Sequence, residues 1–241
     1  MAASANRSDY HGVIERIVDH PAQTRSFFIR LPKERALGFI PGQFISLVLP
    51  LGDKPALRPY SIASDPEHGD LLEIVLNLVP GGLGSAYLFA RRVGEELTFT
   101  GPYGLFTLEH APTVETVFVA QETTIAPIRP MIRRALAEEG SAGLHLLYAA
   151  PREQNLLYRE ELMALARRHP RLRFDPVITQ EPSWPGMRGP LREHLRALYL
   201  DADDRRDRQF YLCGVGPEVL TMRDLLRQNG YARKAVQYEK W

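Results

Sequence analysis

The chain has 241 residues, with 30 Lys and Arg against 29 Asp and Glu for a net charge of +1, and it is 44% hydrophobic. That composition supports a packed core and excludes a disordered, collagenous or coiled-coil protein. The balanced charge argues against a dedicated nucleic-acid binder, whose affinity comes from clustered basic residues meeting phosphates. A single cysteine, Cys213, excludes intrachain disulfides, all-cysteine iron–sulfur clusters and Cys-rich zinc sites, and points to a reducing compartment.

Residues 1–12 are small and polar, without the apolar core of a signal peptide, and no later stretch approaches the roughly 18 apolar residues of a membrane span. A cytoplasmic protein with no membrane partner is therefore expected. From residue 11 onward, short apolar or β-branched runs alternate with Pro and Gly turns: 11–18, 24–31, 44–49, 71–79 and 96–100. This spacing predicts an antiparallel barrel or sandwich.

After Pro112 the pattern changes to buried-looking strands at 116–120, 144–149, 172–178 and 209–213. Helical segments at 127–139, 154–168, 188–199 and 217–229 alternate with them, with Gly140 and Gly230 where carboxy-terminal caps are expected. Such alternation predicts parallel βαβ units, with the boundary between the two halves near residues 108–114.

Three segments of the first half carry residue types suited to a phosphorylated aromatic cofactor. In Arg58-Pro59-Tyr60-Ser61, a guanidinium can grip a phosphate through two parallel hydrogen bonds, a tyrosine ring offers a stacking face, and a hydroxyl can donate or accept. In Gly81-Gly82-Leu83-Gly84-Ser85, glycines admit close approach of backbone N–H groups to a pyrophosphate at the start of a helix. Gly101-Pro102-Tyr103-Gly104-Leu105-Phe106 closes the half with a tight turn. Each segment taken alone also suits an ordinary strand edge, hairpin or turn.

The order and spacing of these segments resemble the ferredoxin–NADP reductase superfamily. The family's R-x-Y-S, G-x-x-S and G-P-x-G-x-F motifs correspond to Arg58–Ser61, Gly82–Ser85 and Gly101–Phe106. Family-like segments continue at Ile125-Ala126-Pro127, Trp184–Gly189 and Tyr211–Pro217, so the likeness runs over residues 10–241. The resemblance implies an antiparallel Greek-key β-barrel that binds FAD over residues 1–110, followed by a Rossmann-like parallel α/β domain that binds NADPH or NADH over 111–241. It implies an oxidoreductase that moves electrons between NAD(P)H and a separate ferredoxin, flavodoxin or oxygenase component.

Residue by residue, the resemblance implies that Arg58 pairs with flavin phosphate beside Pro59, that Tyr60 stacks on the flavin ring, and that Ser61 lies near the nitrogen that exchanges hydride. Gly82, Leu83, Gly84 and Ser85 would cradle the pyrophosphate, and Cys213 and Gly214 would lie near the nicotinamide. Thr179 would meet the nucleotide ribose, and Glu239 and the terminal Trp241 would complete the catalytic set at the second flavin face.

One segment departs from the family pattern. The glycine-rich turn before Ile-Ala-Pro is replaced by Gln121-Glu122-Thr123-Thr124, in which only Thr123 matches. Side chains there obstruct a dinucleotide pyrophosphate, and the Glu122 carboxylate would repel it at close range. An electron-transfer or regulatory flavoprotein that has lost NAD(P)H binding is therefore the alternative expectation. No H-x-x-x-H or H-E-x-x-H pair is present, so no metal site is expected.

Overall fold

The computed structural model describes residues 9–52 and 54–241. The chain divides into two compact units, Met1–Thr107 and Leu108–Trp241.

The first unit is built from six antiparallel strands: β1 (Tyr10–His20), β2 (Thr24–Arg30), β3 (Phe44–Leu49), β4 (Ala56–Ser61), β5 (Leu71–Asn77) and β6 (Glu96–Tyr103), with one short helix, α1 (Leu83–Phe89). They are ordered β4-β3-β6-β1-β2-β5. The two ends of that order meet, because Ala63 N–H just past β4 donates to the Glu73 carbonyl of β5 at 2.8 Å. The expected Greek-key barrel is thus present. Its core follows the period of two: Ile45, Leu47 and Leu49 of β3 point inward beside Phe27, Ile29, Ile74 and Phe99. β4 was not among the expected strands, since Pro59 and a charged residue interrupt its apolar pattern. Among the described residues it pairs with β3, with Pro59 opposite Ser46, and a strand at the end of the sheet order tolerates a residue without an N–H.

The second unit is a six-stranded parallel sheet: β7 (Thr116–Gln121), β8 (Leu144–Ala150), β9 (Leu172–Ile178), β10 (Met187–Arg188), β11 (Gln209–Gly214) and β12 (Val236–Lys240), ordered β10-β9-β8-β7-β11-β12. Four helices connect them: α2 (Ile125–Ala137), α3 (Arg159–Arg168), α4 (Leu191–Tyr199) and α5 (Glu218–Gln228). Leu191, Leu195 and Tyr199 form one stripe of α4, and Val219, Met222 and Leu226 one stripe of α5. Both pack on Val117, Leu147, Val177, Phe210 and Leu212. This is the expected Rossmann-like α/β arrangement.

Several element boundaries differ from the sequence reading. α2 begins two residues before Pro127, because proline is tolerated in a first turn, where its missing N–H has no partner to lose. α3 begins at Arg159, later than expected. Residues 154–158 turn instead, with Tyr158 at φ +57° and Leu157 N–H held by the Tyr148 hydroxyl at 3.0 Å. Gly230 adopts φ +96° after α5, whereas Gly140 is not left-handed and α2 ends in an extended Glu138. β10 and β12 carry no long apolar run and were not expected.

Candidate functional site

In the first unit, β4 and the start of α1 bring two of the sequence motifs together. A Cβ placed on Gly84 would lie 3.2 Å from Arg58 Cγ and 3.4 Å from Tyr60 Oη, so the glycine is what lets the helix start sit against both side chains. Arg58 is exposed, with Nη1 donating to the Leu57 carbonyl at 2.9 Å. Tyr60 is half-buried, and that burial raises its hydroxyl pKa. Pro59 is exposed and Ser61 is buried on the same strand.

The Ser85 hydroxyl is bonded within its own turn. Its Oγ accepts from Val79 N–H at 3.0 Å and donates to the Gly82 carbonyl at 3.1 Å, so the hydroxyl holds the turn in shape. Gly81 turns at φ +72°, and a Cβ on Gly82 would meet the Val79 Cβ at 2.9 Å. Beyond that turn the backbone N–H groups of Leu83, Gly84 and Ser85 have no backbone acceptor among the described residues, as the start of any helix dictates. An exposed guanidinium, an aromatic face and free amides beside a glycine form a donor set that fits a phosphate-bearing, flat aromatic group such as FAD.

In the second unit, all strands run the same way, so one edge of the sheet gathers their carboxy-terminal ends. That edge holds Glu122–Thr124 after β7, Thr179 after β9, Cys213 and Gly214 at the end of β11, and Glu239 and Trp241 at the end of β12. The strand order reverses between β7 and β11, which is where ligands of open α/β sheets bind.

At this reversal point the substituted turn is held closed by its own side chains. The Thr124 hydroxyl accepts from Gln121 N–H at 2.8 Å and lies 2.8 Å from the carbonyls of both Gln121 and Cys213. Its single proton bonds one of these two carbonyls at a time. Glu122 sits at φ +48°, a conformation suited to glycine. Its carbonyl accepts from the buried Tyr148 hydroxyl at 3.0 Å, and partial burial raises its carboxyl pKa. Thr123 is buried beside it. Sequence reasoning placed Thr124 in the substituted turn without its bonding role and missed Tyr148, because a threonine and a strand tyrosine carry no distinctive signal.

The Cys213 thiol is buried, and that burial, with the Glu239 charge from the neighbouring strand, pushes its pKa well up. Burial of this kind disfavours the thiolate, the nucleophilic form of a cysteine. Gly214 packs closely on α5, since a Cβ there would lie 3.2 Å from the Val219 Cβ. Thr179 is exposed, with its N–H on the Ala150 carbonyl at 3.0 Å. The exposed Trp241 is anchored by its backbone, donating to Gly214 O at 3.0 Å and accepting from Gly216 N–H at 3.1 Å. Its indole N–H donates to Glu239 Oε1 at 2.9 Å.

Comparison with known proteins matches residues 13–108 to an oxidoreductase FAD-binding domain and residues 118–223 to an oxidoreductase NAD-binding domain. The chain is 37% identical over 224 residues to ferredoxin–NADP reductase B of Sorangium cellulosum, covering 89% of this chain and 92% of that relative. The chain belongs to the ferredoxin–NADP reductase family. It is also 30% identical to the reductase component of a Pseudomonas phenol 2-monooxygenase, covering 88% of this chain and 59% of the relative. The chain therefore spans about three-fifths of the length of such oxygenase reductase components.

Among solved structures, an Amycolatopsis cytochrome P450 reductase superposes with a TM-score of 0.87 at 24% identity, covering 99% of this chain and 71% of the other. A Neisseria gonorrhoeae ferredoxin NADP+ reductase with bound FAD and NADP gives 0.81 at 22% identity, covering 96% and 98%. These two likenesses establish the shared fold.

Proposed function

We propose that this protein is an FAD-dependent oxidoreductase that moves electrons between NAD(P)H and a separate one-electron carrier: a ferredoxin, a flavodoxin or an oxygenase component. The observation that carries this reading is the meeting of Arg58, Tyr60 and Gly84 at the start of α1, within a chain whose two halves match FAD- and NAD-binding families. When bound, the flavin accepts a hydride equivalent and releases electrons singly, chemistry that no side chain here supplies.

The chain's own residues bind and orient. Arg58 neutralises phosphate charge, the amides of Leu83, Gly84 and Ser85 add neutral donors, and Tyr60 presents its ring as a stacking face. Ser61 offers a hydroxyl at the end of the same strand. On the second unit, Thr123, Thr179, Cys213 and Gly214 border the nucleotide edge, with Glu239 and Trp241 beside them. We assign residues 1–110 to the flavin half and 111–241 to the nucleotide half. A cytoplasmic setting is supported by the single cysteine. Among the described residues, no helix is long and apolar enough to cross a membrane.

The turn at Gln121–Thr124 favours a second reading, an electron-transfer flavoprotein whose second unit does not take a nucleotide. One experiment separates the two. The purified protein, with its flavin identified after denaturation, is assayed for NADH- and NADPH-dependent reduction of ferricyanide. The first reading expects turnover with at least one nucleotide, and Arg58→Ala is expected to lose flavin and turnover together. Flavin retained with no turnover from either nucleotide would favour the second reading.

A further inference from the structure

The turn after β7 presents a nucleotide with two opposed features. At the point where the strand order reverses, beside the start of α2, the backbone N–H groups of Glu122 and Thr123 have no acceptor among the described residues. Free amides at such a place suit the pyrophosphate of a dinucleotide, and the match of residues 118–223 to an oxidoreductase NAD-binding domain gives the ligand class. The Glu122 carboxyl stands in the same turn, and in its ionised form it repels a pyrophosphate at close range.

The turn holds this residue in place. Glu122 sits at φ +48°, its carbonyl accepts from the Tyr148 hydroxyl and from Ile125 N–H, and the Thr124 hydroxyl ties the turn to β7 and β11. No cation among the described residues neutralises it. The elements packed on the turn are β7, β8 and α2, with β11 joined through Thr124. β7 carries no titratable side chain. β8 brings Tyr148, whose hydroxyl is engaged with the Glu122 carbonyl and Leu157 N–H, and, near its other end, His145, bonded to Asp175. β11 brings Tyr211 and the buried Cys213 thiol. The arginines of α2 are bonded elsewhere, Arg129 and Arg133 to Glu161 and Arg134 to Glu138.

Half-buried and without a counter-charge, the Glu122 carboxyl has its pKa raised by desolvation. Its neutral form ends in an O–H, a donor for a phosphate oxygen. Protonation therefore turns the repelling group of this turn into a further donor beside the free amides.

We infer that Glu122 gates nucleotide entry by protonation: the dinucleotide binds together with one proton, carried on the Glu122 carboxyl, which then donates to a pyrophosphate oxygen. The inference rests on the reading of this unit as an NAD(P)H site. In balance, an ionised carboxyl, one proton from solvent and the nucleotide give a complex with a neutral carboxyl, and no electrons move in this step. At low pH the carboxyl is already neutral and binding is unimpeded; as pH rises through its pKa the carboxylate forms and binding weakens.

The test uses the full, FAD-loaded chain with NAD+ and NADP+, oxidised nucleotides that bind without reducing the flavin. Calorimetric titrations from about pH 5.5 to about pH 8.5, in buffers of different ionisation enthalpy, give the Kd and the protons taken up per nucleotide. For NAD+, the wild type should take up as much as one proton at the alkaline end and weaken by about 10-fold or more across the range. Glu122→Gln, which keeps the shape and stays neutral, should bind NAD+ with a flat pH profile and no proton uptake. NADP+ carries a 2′-phosphate that titrates itself, so its readout is the excess uptake of wild type over the variant. Proton uptake with NAD+ is read on the wild type alone, so the test holds even where the variant fails to fold. Wild-type NAD+ binding without proton uptake, or the same pH profile in wild type and Glu122→Gln, overturns the inference and leaves the reductase reading intact. Failure of both nucleotides to bind either protein at any pH overturns both.

Discussion

Replacing Thr124 by alanine tests whether the turn at the reversal point is braced by its own side chain. The hydroxyl is fully buried, accepts one N–H and lies within 2.8 Å of two carbonyls, one of them across on β11. Its removal strands a buried amide and one carbonyl, at about 1–3 kcal/mol, and the lost methyl adds about 1 kcal/mol. For a unit of roughly 130 residues, a loss of 2–4 kcal/mol lowers Tm by about 10 °C. Thermal unfolding followed by circular dichroism at saturating flavin measures it, and Thr124→Ser, which keeps the hydroxyl, should recover most of the loss. A Thr124→Ala protein that melts with the wild type would refute the brace.

Three further predictions concern Gly84 of the first unit and Glu122 and Asp203 of the second. Gly84→Ala should leave the fold intact but press on Arg58 Cγ, 3.2 Å away, and weaken flavin affinity by about 10-fold; equal flavin retention through gel filtration would contradict this. Glu122→Gly should change stability by less than about 1 kcal/mol, since relief at φ +48° is offset by added freedom of the unfolded chain. It should nevertheless tighten NAD(P)H binding, and an unchanged Kd would show that the turn is not the obstacle. The Arg208 hydrogen bond holds the Asp203 carboxyl well below the ordinary range. Because the folded pKa is depressed, the stability this pair contributes is present above the ordinary Asp value of about 4 and is lost as pH falls below it. Urea midpoints from neutral to acidic pH should therefore fall less steeply in Asp203→Asn than in the wild type.

Both layers of the fold were legible because their core strands obey simple periods. β3 alternates, and β7, β8 and β11 of the second unit, buried on both faces, read as largely continuous apolar runs. β4 escaped because Arg58 and Pro59 stand where an apolar pattern would otherwise mark a strand. Arg58–Ser61 and Gly82–Ser85 were legible as motifs, but their meeting was not, since Arg58 and Gly84 lie far apart in sequence. The glycine-poor turn was visible as a departure, whereas the compensation for it was not. Thr124 reaches the Cys213 carbonyl 89 positions away, and Tyr148 reaches Glu122 from the neighbouring strand. Such long-range side-chain bonds leave no local trace in residue order.

The proposed reductase differs from the second reading in one property: its flavin is reduced by a pyridine nucleotide despite the substituted turn. Anaerobic absorbance of the flavin-loaded protein near about 450 nm, the usual band of an oxidised flavin, during separate additions of NADH and NADPH tests it most directly. Bleaching by at least one nucleotide is expected, with the more effective one identifying the donor. A band that neither nucleotide bleaches, while dithionite does, would contradict it.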